Sequence, residues 1–188
     1  MYCNADIGEL EGDVTQPTES KPGTIWIIGP ACVGKTTLAR LLVSHCRGEG
    51  RPAMLLDGDE IRQIHDTSLG YDPVSRRKQT ARVQKLARWV QNQDILPVVA
   101  IIHPFQDDRE ACRDMFPGYF EVSLSCDMKE RIRRDTKKLY LPALRGEKRH
   151  VIGVDIPFDD PVSADLVLET DQFEPQELLQ TLLDATGL

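Results

Sequence analysis

Two glycines five positions apart, Gly29 and Gly34, run directly into Lys35 and Thr36, so that residues 29–36 read G-x-x-x-x-G-K-T. Glycines let a chain turn tightly enough for several backbone N–H groups to converge on one anion. A lysine beside them adds a cation that reaches further, and a threonine hydroxyl suits Mg²⁺ bound with phosphate oxygens. The apolar run at 24–28 precedes the loop and a helical pattern follows from Thr37, so the N-terminus of that helix adds to the attraction. The chemistry indicated is binding of a nucleoside triphosphate, ATP or GTP. Gly29, Ala31, Cys32, Val33, Gly34, Lys35, Thr36 and Thr37 are the candidate contacts, with Lys35 on the β- and γ-phosphates and Thr36 on Mg²⁺. An ordinary glycine turn is the alternative, and the complete motif with both flanks in place argues against it.

A second group is Asp57-Gly-Asp-Glu-Ile-Arg62, fed by the apolar run 53–56. On a strand neighbouring the phosphate-loop strand, Asp57 and Asp59 would face a γ-phosphate. A carboxylate there can take a proton from an attacking hydroxyl or hold water on Mg²⁺. Arg62, three residues after Asp59, shares its face once a helix begins, and its planar fork suits an anionic acceptor. An aspartate capping a helix is the plainer reading, and the two are compatible.

These groups need a scaffold. Apolar runs at 24–28, 53–56, 97–102, 119–124 and 165–168 predict five buried parallel strands, and helical patterns at 35–47, 74–93, 107–115, 127–136 and 175–185 separate them. The fold expected is α/β: a P-loop three-layer α/β/α sandwich on a five-stranded, mainly parallel sheet, with ligands at the carboxyl ends of the strands. Residues 136–161 break the rhythm, being basic and rich in proline and glycine, and are expected to form a lid over the nucleotides. Residues 1–23 read as a disordered or loosely attached tail, which leaves 24–188 as the P-loop domain.

Composition limits the alternatives. A chain of 188 residues, 40% hydrophobic and 28% charged, suits one globular domain. A net charge of −7 disfavours nucleic acid and acidic membranes as partners, but not a small anion held by local cations. Cys3, Cys32, Cys46, Cys112 and Cys126 form no C-x-x-C pair, which suits reduced thiols and a cytoplasmic setting. No apolar stretch approaches the roughly 20 residues of a membrane span, and no secretory signal is legible.

Taken in order, the phosphate loop, Leu56–Arg62, Leu69-Gly-Tyr71, Ile102–Arg109, Arg134–Tyr140 and Gly153–Pro161 resemble the adenylylsulfate (APS) kinases from about residue 24 to 170. That family moves the ATP γ-phosphate to the 3′-hydroxyl of adenylylsulfate, in sulfate assimilation. The resemblance implies ATP and Mg²⁺ as cofactors and a small nucleotide-conjugate acceptor as partner. It also offers a homodimer, for which no interface is legible in the residues. It places Lys35, Asp59 and Arg134 in catalysis, with Asp59 near the accepting hydroxyl and Arg134 neutralising the transferring group and contacting the nucleotide. Acceptor contacts are implied for Asp57, Asp59, Arg62, Tyr71 (stacked on the base), Gln79, Arg82, His103, Pro104, Lys138, Leu139 and Val151.

The departures from the family lie on the acceptor side. Val151 stands where the lid normally offers a phenylalanine, which removes base stacking of roughly 1–3 kcal/mol. Ile152 replaces threonine, Glu60 asparagine, Ala81 an acceptor-facing arginine, His103 serine, Gln106 arginine and Lys138 glycine. A related enzyme of this kind, cytidine diphosphoramidate kinase, acts on a different conjugate, and the residues alone do not choose between the acceptors. Other expectations are a core position for Trp26, packing of Trp89 on the sheet, and no zinc site among His45, His65, His103 and His150. The competing functions are a kinase for a plain hydroxy acid or sugar, as in shikimate or gluconate kinases, and a nucleotide-binding regulator without turnover.

Overall fold

The computed structural model describes residues 21–65 and 69–188. The chain runs β1 (Thr24–Ile28), α1 (Lys35–Gly48), β2 (Ala53–Asp57), α2 (Gly58–Gln63), α3 (Pro73–Gln91), β3 (Leu96–Ala100), α4 (Gln106–Met115), β4 (Tyr119–Ser125), α5 (Met128–Arg133), α6 (Tyr140–Leu144), β5 (Leu166–Glu169) and α7 (Pro175–Thr186). The strands lie in the order β2-β3-β1-β4-β5 and every pairing is parallel. Strand alternation sends Ile25 and Ile27 into one core with Leu38, Leu42, Leu178 and Leu182 of α1 and α7. Trp26 and Ile28 enter the other core, with Val83, Ala87 and Val90 of α3 and Cys112 of α4. The expected three layers follow from that split.

Several expectations change. β2 does not neighbour β1, because β3 lies between them. β5 is an edge strand with Val167 56% exposed, so it is not a buried run. Trp89 is 61% exposed on α3 rather than packed on the sheet, whereas Trp26 is fully buried. Residues 22 and 23, assigned to the tail, are built into the domain. Gly23 N–H donates to Gly118 O (2.9 Å), Gln91 Nε2 to Gly23 O (3.1 Å) and Arg51 Nη2 to Pro22 O (2.8 Å). The rest of that tail, residues 1–20, lies outside the described residues.

The helix ends have local causes. Asp72 caps α3 by accepting from Ser75 N–H (3.0 Å), with Pro73 at the first helical position. Glu174 and Glu177 form a reciprocal capping box on α7. α5 stops at Arg133, three residues short of the expected 136. Asp135 turns its carboxylate onto the next segment, where Oδ2 accepts from Leu139 N–H (2.6 Å) and Tyr140 N–H (2.8 Å).

That carboxylate starts the lid, which has its own small core. Tyr140, Ala143 and Val151 are buried together and pack against Ala31 and Cys32 of the phosphate loop. Tyr140 is fully buried and its hydroxyl donates to Ala31 O at 2.8 Å. Asp155 closes the far end by accepting from His150 N–H and Val151 N–H, both at 2.6 Å. Pro142 is tolerated because it lies in the first turn of α6. Replacing Tyr140 by phenylalanine leaves the ring and removes the hydroxyl, with its short bond to Ala31 O and the longer one it accepts from Arg131 Nη1 (3.4 Å). It should lower unfolding stability in urea by about 1 kcal/mol, and an unchanged midpoint would mean that the lid is not anchored through this hydroxyl.

Candidate active site

The phosphate loop takes its shape from backbone that few residues adopt. Gly29 has φ 141°, and a Cβ there would come within 2.5 Å of Leu124 O. Gly34, at φ 94°, is the N-cap of α1. Lys35 folds back so that Nζ donates to Pro30 O at 2.5 Å. Burial pushes its ammonium down to about 8, against the upward pull of the Asp59 and Asp57 carboxylates. Cys32 is half-buried, and burial followed by the Asp135 carboxylate pushes its thiol up, so a thiolate is disfavoured.

Asp57 links this loop to the second group. Its Oδ2 accepts from Thr36 Oγ1 at 2.6 Å, across the tip of the intervening β3. Its Oδ1 caps α2 by accepting from Asp59 N–H (2.8 Å) and Glu60 N–H (3.4 Å). The cap and the proposed acid are therefore different members of the pair. Asp59 is exposed and its Oδ2 meets Lys137 Nζ of the lid at 2.5 Å, a contact that raises the pKa of Lys137. Thr36 Oγ1 and Asp57 Oδ2 are hard oxygen donors at the mouth of the loop, a set that fits Mg²⁺ shared with phosphate. Among the described residues, no group of three or more His, Cys, Asp or Glu could hold a metal alone.

One cleft of about 1340 Å³ joins these parts. Of the expected site residues it is lined by Ala31, Cys32, Gly34, Lys35, Thr36, Thr37, Asp57, Asp59, Arg62, Tyr71, Gln79, His103, Pro104, Arg134, Leu139 and Val151. Gly29 and Val33 shape the loop from behind, and Arg82 and Lys138 lie outside the lining. Lys138 is exposed at φ 50°, where its backbone makes the bend and Lys137 reaches inward instead. Arg134 is held at the β5 end of the cleft: Nε donates to Glu130 Oε1 (2.6 Å) and Nη2 to Thr170 O (2.9 Å).

Tyr71 stands 54% exposed at the other end, with the Arg62 guanidinium 4.7 Å and the Arg76 guanidinium 5.6 Å from its ring centre. Arg62 Nη1 donates to Leu69 O (3.1 Å), which sets the loop that carries Tyr71. Arg76, which the sequence reading missed, is buried and joins Tyr71 O (2.7 Å) to His150 O of the lid (2.8 Å). It occupies the buried face of α3 in register with Thr80, Val83, Ala87 and Val90. Lys137, Asp135 and Tyr140 were also missed, although all three lie in the quoted segment 134–140.

Besides Lys138, three of the departures point away from the cleft. Glu60 pairs with Arg40 at 3.1 Å on the outer side, so it adds no charge beside the anion site. Ala81 is exposed and off the lining. Gln106 accepts from Arg109 and donates from Nε2 to Glu110 Oε1 (3.0 Å), also away from the cleft. Val151, Ile152 and His103 do line it.

The parallel sheet, the glycine-bent phosphate loop, the acid behind it and a lid packed on that loop define a P-loop phosphotransferase. The adenylylsulphate kinase profile matches residues 21–169. An adenylyl-sulfate kinase of Bacillus pumilus is 31% identical over 181 residues, covering 95% of this chain and 92% of its own length. A cytidine diphosphoramidate kinase of Campylobacter jejuni is 36% identical over 150 residues, covering 80% and 87%. The Mycobacterium tuberculosis APS kinase, solved with AMPPNP and APS, superposes with a TM-score of 0.82 at 29% identity, covering 89% of this chain and 99% of its own. The chain belongs to the adenylylsulphate kinase family.

Lys35 gives the site a pH signature. In the free protein its charge is lost as pH rises through about 8, and bound phosphates favour the charged form. ATP affinity should therefore fall above pH 8, by up to about tenfold per pH unit. Calorimetry at pH 8 in buffers of different ionisation heats should detect uptake of about half a proton. Affinity that stayed constant from pH 7 to 9.5 would mean that Lys35 is not the titrating contact.

Proposed function

We propose that this chain transfers the γ-phosphoryl group of ATP to the 3′-hydroxyl of adenylylsulfate, a step of sulfate assimilation. The observation that carries this reading is the order of groups along one cleft. A phosphate loop holds Lys35, the Asp59–Lys137 pair follows, and a tyrosine flanked by two arginines lies beyond. A triphosphate on the loop sets its terminal phosphoryl group before Asp59, and a nucleotide stacked on Tyr71 brings a ribose hydroxyl to the same carboxylate.

The chemistry of such a transfer is mostly positioning and charge stabilisation. Backbone N–H groups of residues 31–36 and Lys35 hold the phosphates. Asp59 accepts the proton as the hydroxyl oxygen bonds to the γ-phosphorus. The bond from that phosphorus to the bridging oxygen breaks, releasing ADP. Lys137 offsets the charge at the Asp59 carboxylate before the proton arrives. Mg²⁺, held by Thr36 with Asp57 behind it, supplies neutralisation of the phosphate oxygens when bound. The lid excludes water, which would otherwise hydrolyse ATP. Arg62 and Arg76 suit the anionic part of the acceptor, and Arg134 the nucleotide at the β5 end.

A second reading, an acceptor such as cytidine diphosphoramidate, draws on Val151. It is buried in the lid core and offers no ring to face Tyr71. An ADP-release assay with each conjugate as sole acceptor decides between them, and release with neither would reject both. With the true acceptor, Asp59→Asn should lower kcat by roughly 10²–10⁴-fold and leave ATP affinity within about threefold. Lys35→Ala should abolish transfer. Full turnover by Asp59→Asn would remove that residue from the chemistry.

A further inference from the structure

α3 carries a second face that the cleft does not use. The helix holds Arg76, Arg77, Lys78, Arg82, Lys85 and Arg88 and no acidic residue. Arg76 points inward, Arg77 pairs with Asp107 and Asp108 of α4, and Arg88 reaches Gln91 and Met115 O. Val74, Lys78, Ala81, Lys85 and Trp89 instead recur every three or four residues, so they share one stripe of the helix. All five are exposed, Val74 by 62% and Trp89 by 61%. Among the described residues neither Lys78 nor Lys85 has an ion-pair partner. A tryptophan and two bare cations on one outward stripe suit a partner that is both apolar and acidic.

The chain itself supplies such a partner. Residues 1–20, which lie outside the described residues, carry Asp6, Glu9, Glu11, Asp13 and Glu19 and no lysine or arginine. They therefore hold five of the seven net negative charges of the whole chain. Ile7, Leu10 and Val14 are interleaved with those carboxylates. The segment also joins the domain at the right place. Pro22 and Gly23 are fastened to Arg51 and Gln91, and Gln91 is the last residue of α3, two beyond Trp89. α3 is 19 residues long, about 28 Å. Twenty residues of extended chain reach about 66 Å, so the segment can follow the stripe from Trp89 to Val74. Tethering makes the encounter intramolecular, so individually weak surface pairs suffice.

We propose that the acidic N-terminal segment of this chain docks in cis on the outward stripe of α3, with its carboxylates against Lys78 and Lys85 and its apolar residues over Trp89. The cationic cleft is the competing destination for an acidic segment. It opens at the carboxyl ends of the strands, whereas Gly23 leads into the amino end of β1 and lies beside the last turn of α3. The stripe is the nearer of the two, and it offers a bare indole at the point of entry. The docking is independent of which acceptor the cleft takes.

The test compares the wild-type chain with two full-length variants. One has amides in place of the five carboxylates (Asp6→Asn, Glu9→Gln, Glu11→Gln, Asp13→Asn and Glu19→Gln), and the other carries Lys78→Glu with Lys85→Glu. Trp26 is fully buried, so acrylamide quenching of tryptophan emission reads Trp89. Quenching of the wild-type chain should be about twofold weaker in ~0.01 M salt, where charges act over ~30 Å, than in ~1 M salt, where they act over ~3 Å. Both variants should show the stronger quenching at either salt level. Wild-type quenching that matches the amide variant, or that does not change with salt, overturns the docking. Protection that appears only as concentration rises, with dimers in sedimentation, would assign the stripe to a second copy and overturn docking in cis. If a variant fails to fold, ¹⁵N spectra of the wild-type chain decide alone. The Trp89 indole signal should move between the two salt levels together with the amides of residues 6–14, and if either stays fixed the contact is excluded.

Discussion

The carboxylate of Asp57 is the constraint on which the site depends. Its two oxygens serve two elements, with the Thr36 hydroxyl at 2.6 Å on one and the Asp59 N–H at 2.8 Å on the other. Because β3 separates β2 from β1, no shared ladder brings the acid to the phosphate loop. The bond from Thr36 spans that gap and fixes where α2 begins relative to α1. Asp57 is 6% exposed, so both bonds form where water competes weakly. The position of the Asp59 backbone at the start of α2 follows from this one side chain.

The lid is tied to the same loop by different means. Tyr140 anchors it to Ala31, Asp135 starts it, Asp155 closes it, and Arg76 holds its His150 carbonyl from α3. Lys138 and His150 bound the span that holds α6, and both adopt left-handed backbone, at φ 50° and 65°. A side chain in that region costs about 1–2 kcal/mol. The cost is offset by the buried cluster of Tyr140, Ala143 and Val151 and by the charge pair of Lys137 with Asp59. Phosphate loop, acid and lid therefore form one connected unit, and a ligand that settles any one of them biases the other two.

Much of this was legible because the signals are local. Five apolar runs marked five strands to within two residues, and the glycine–lysine–threonine spacing marked the loop. Sheet order was not legible, since strand 53–57 reads the same whether its neighbour is β1 or β3. Nor was the lid core, because Tyr140 and Val151 are separated by a stretch with no helical period. Arg76 was missed because an arginine on the buried stripe of α3 looks like an interruption of that stripe until its two carbonyl partners are seen. Lys138 was named from the resemblance, and that Lys137 borders the cleft in its place follows from the bend at Lys138, which only backbone angles reveal.

The acidity of the whole chain hides a cationic interior to the cleft, and that contrast bears on which acceptor fits. The net charge is −7, yet Lys35, Arg62, Arg76, Arg134 and Lys137 all face one space. Glu60, the departure that would have added negative charge there, is paired with Arg40 outside it. The cations are thus not opposed by Glu60, and position 81, an alanine here, falls on an exposed face that does not border the cleft. Among the departures that border the cleft, Val151, Ile152 and His103 remain, and all three are uncharged at neutral pH. Such changes alter stacking and neutral hydrogen bonding, and leave phosphate binding to the cations. A difference in acceptor preference, if this chain has one relative to its family, is therefore a difference in the part of the conjugate that carries no charge.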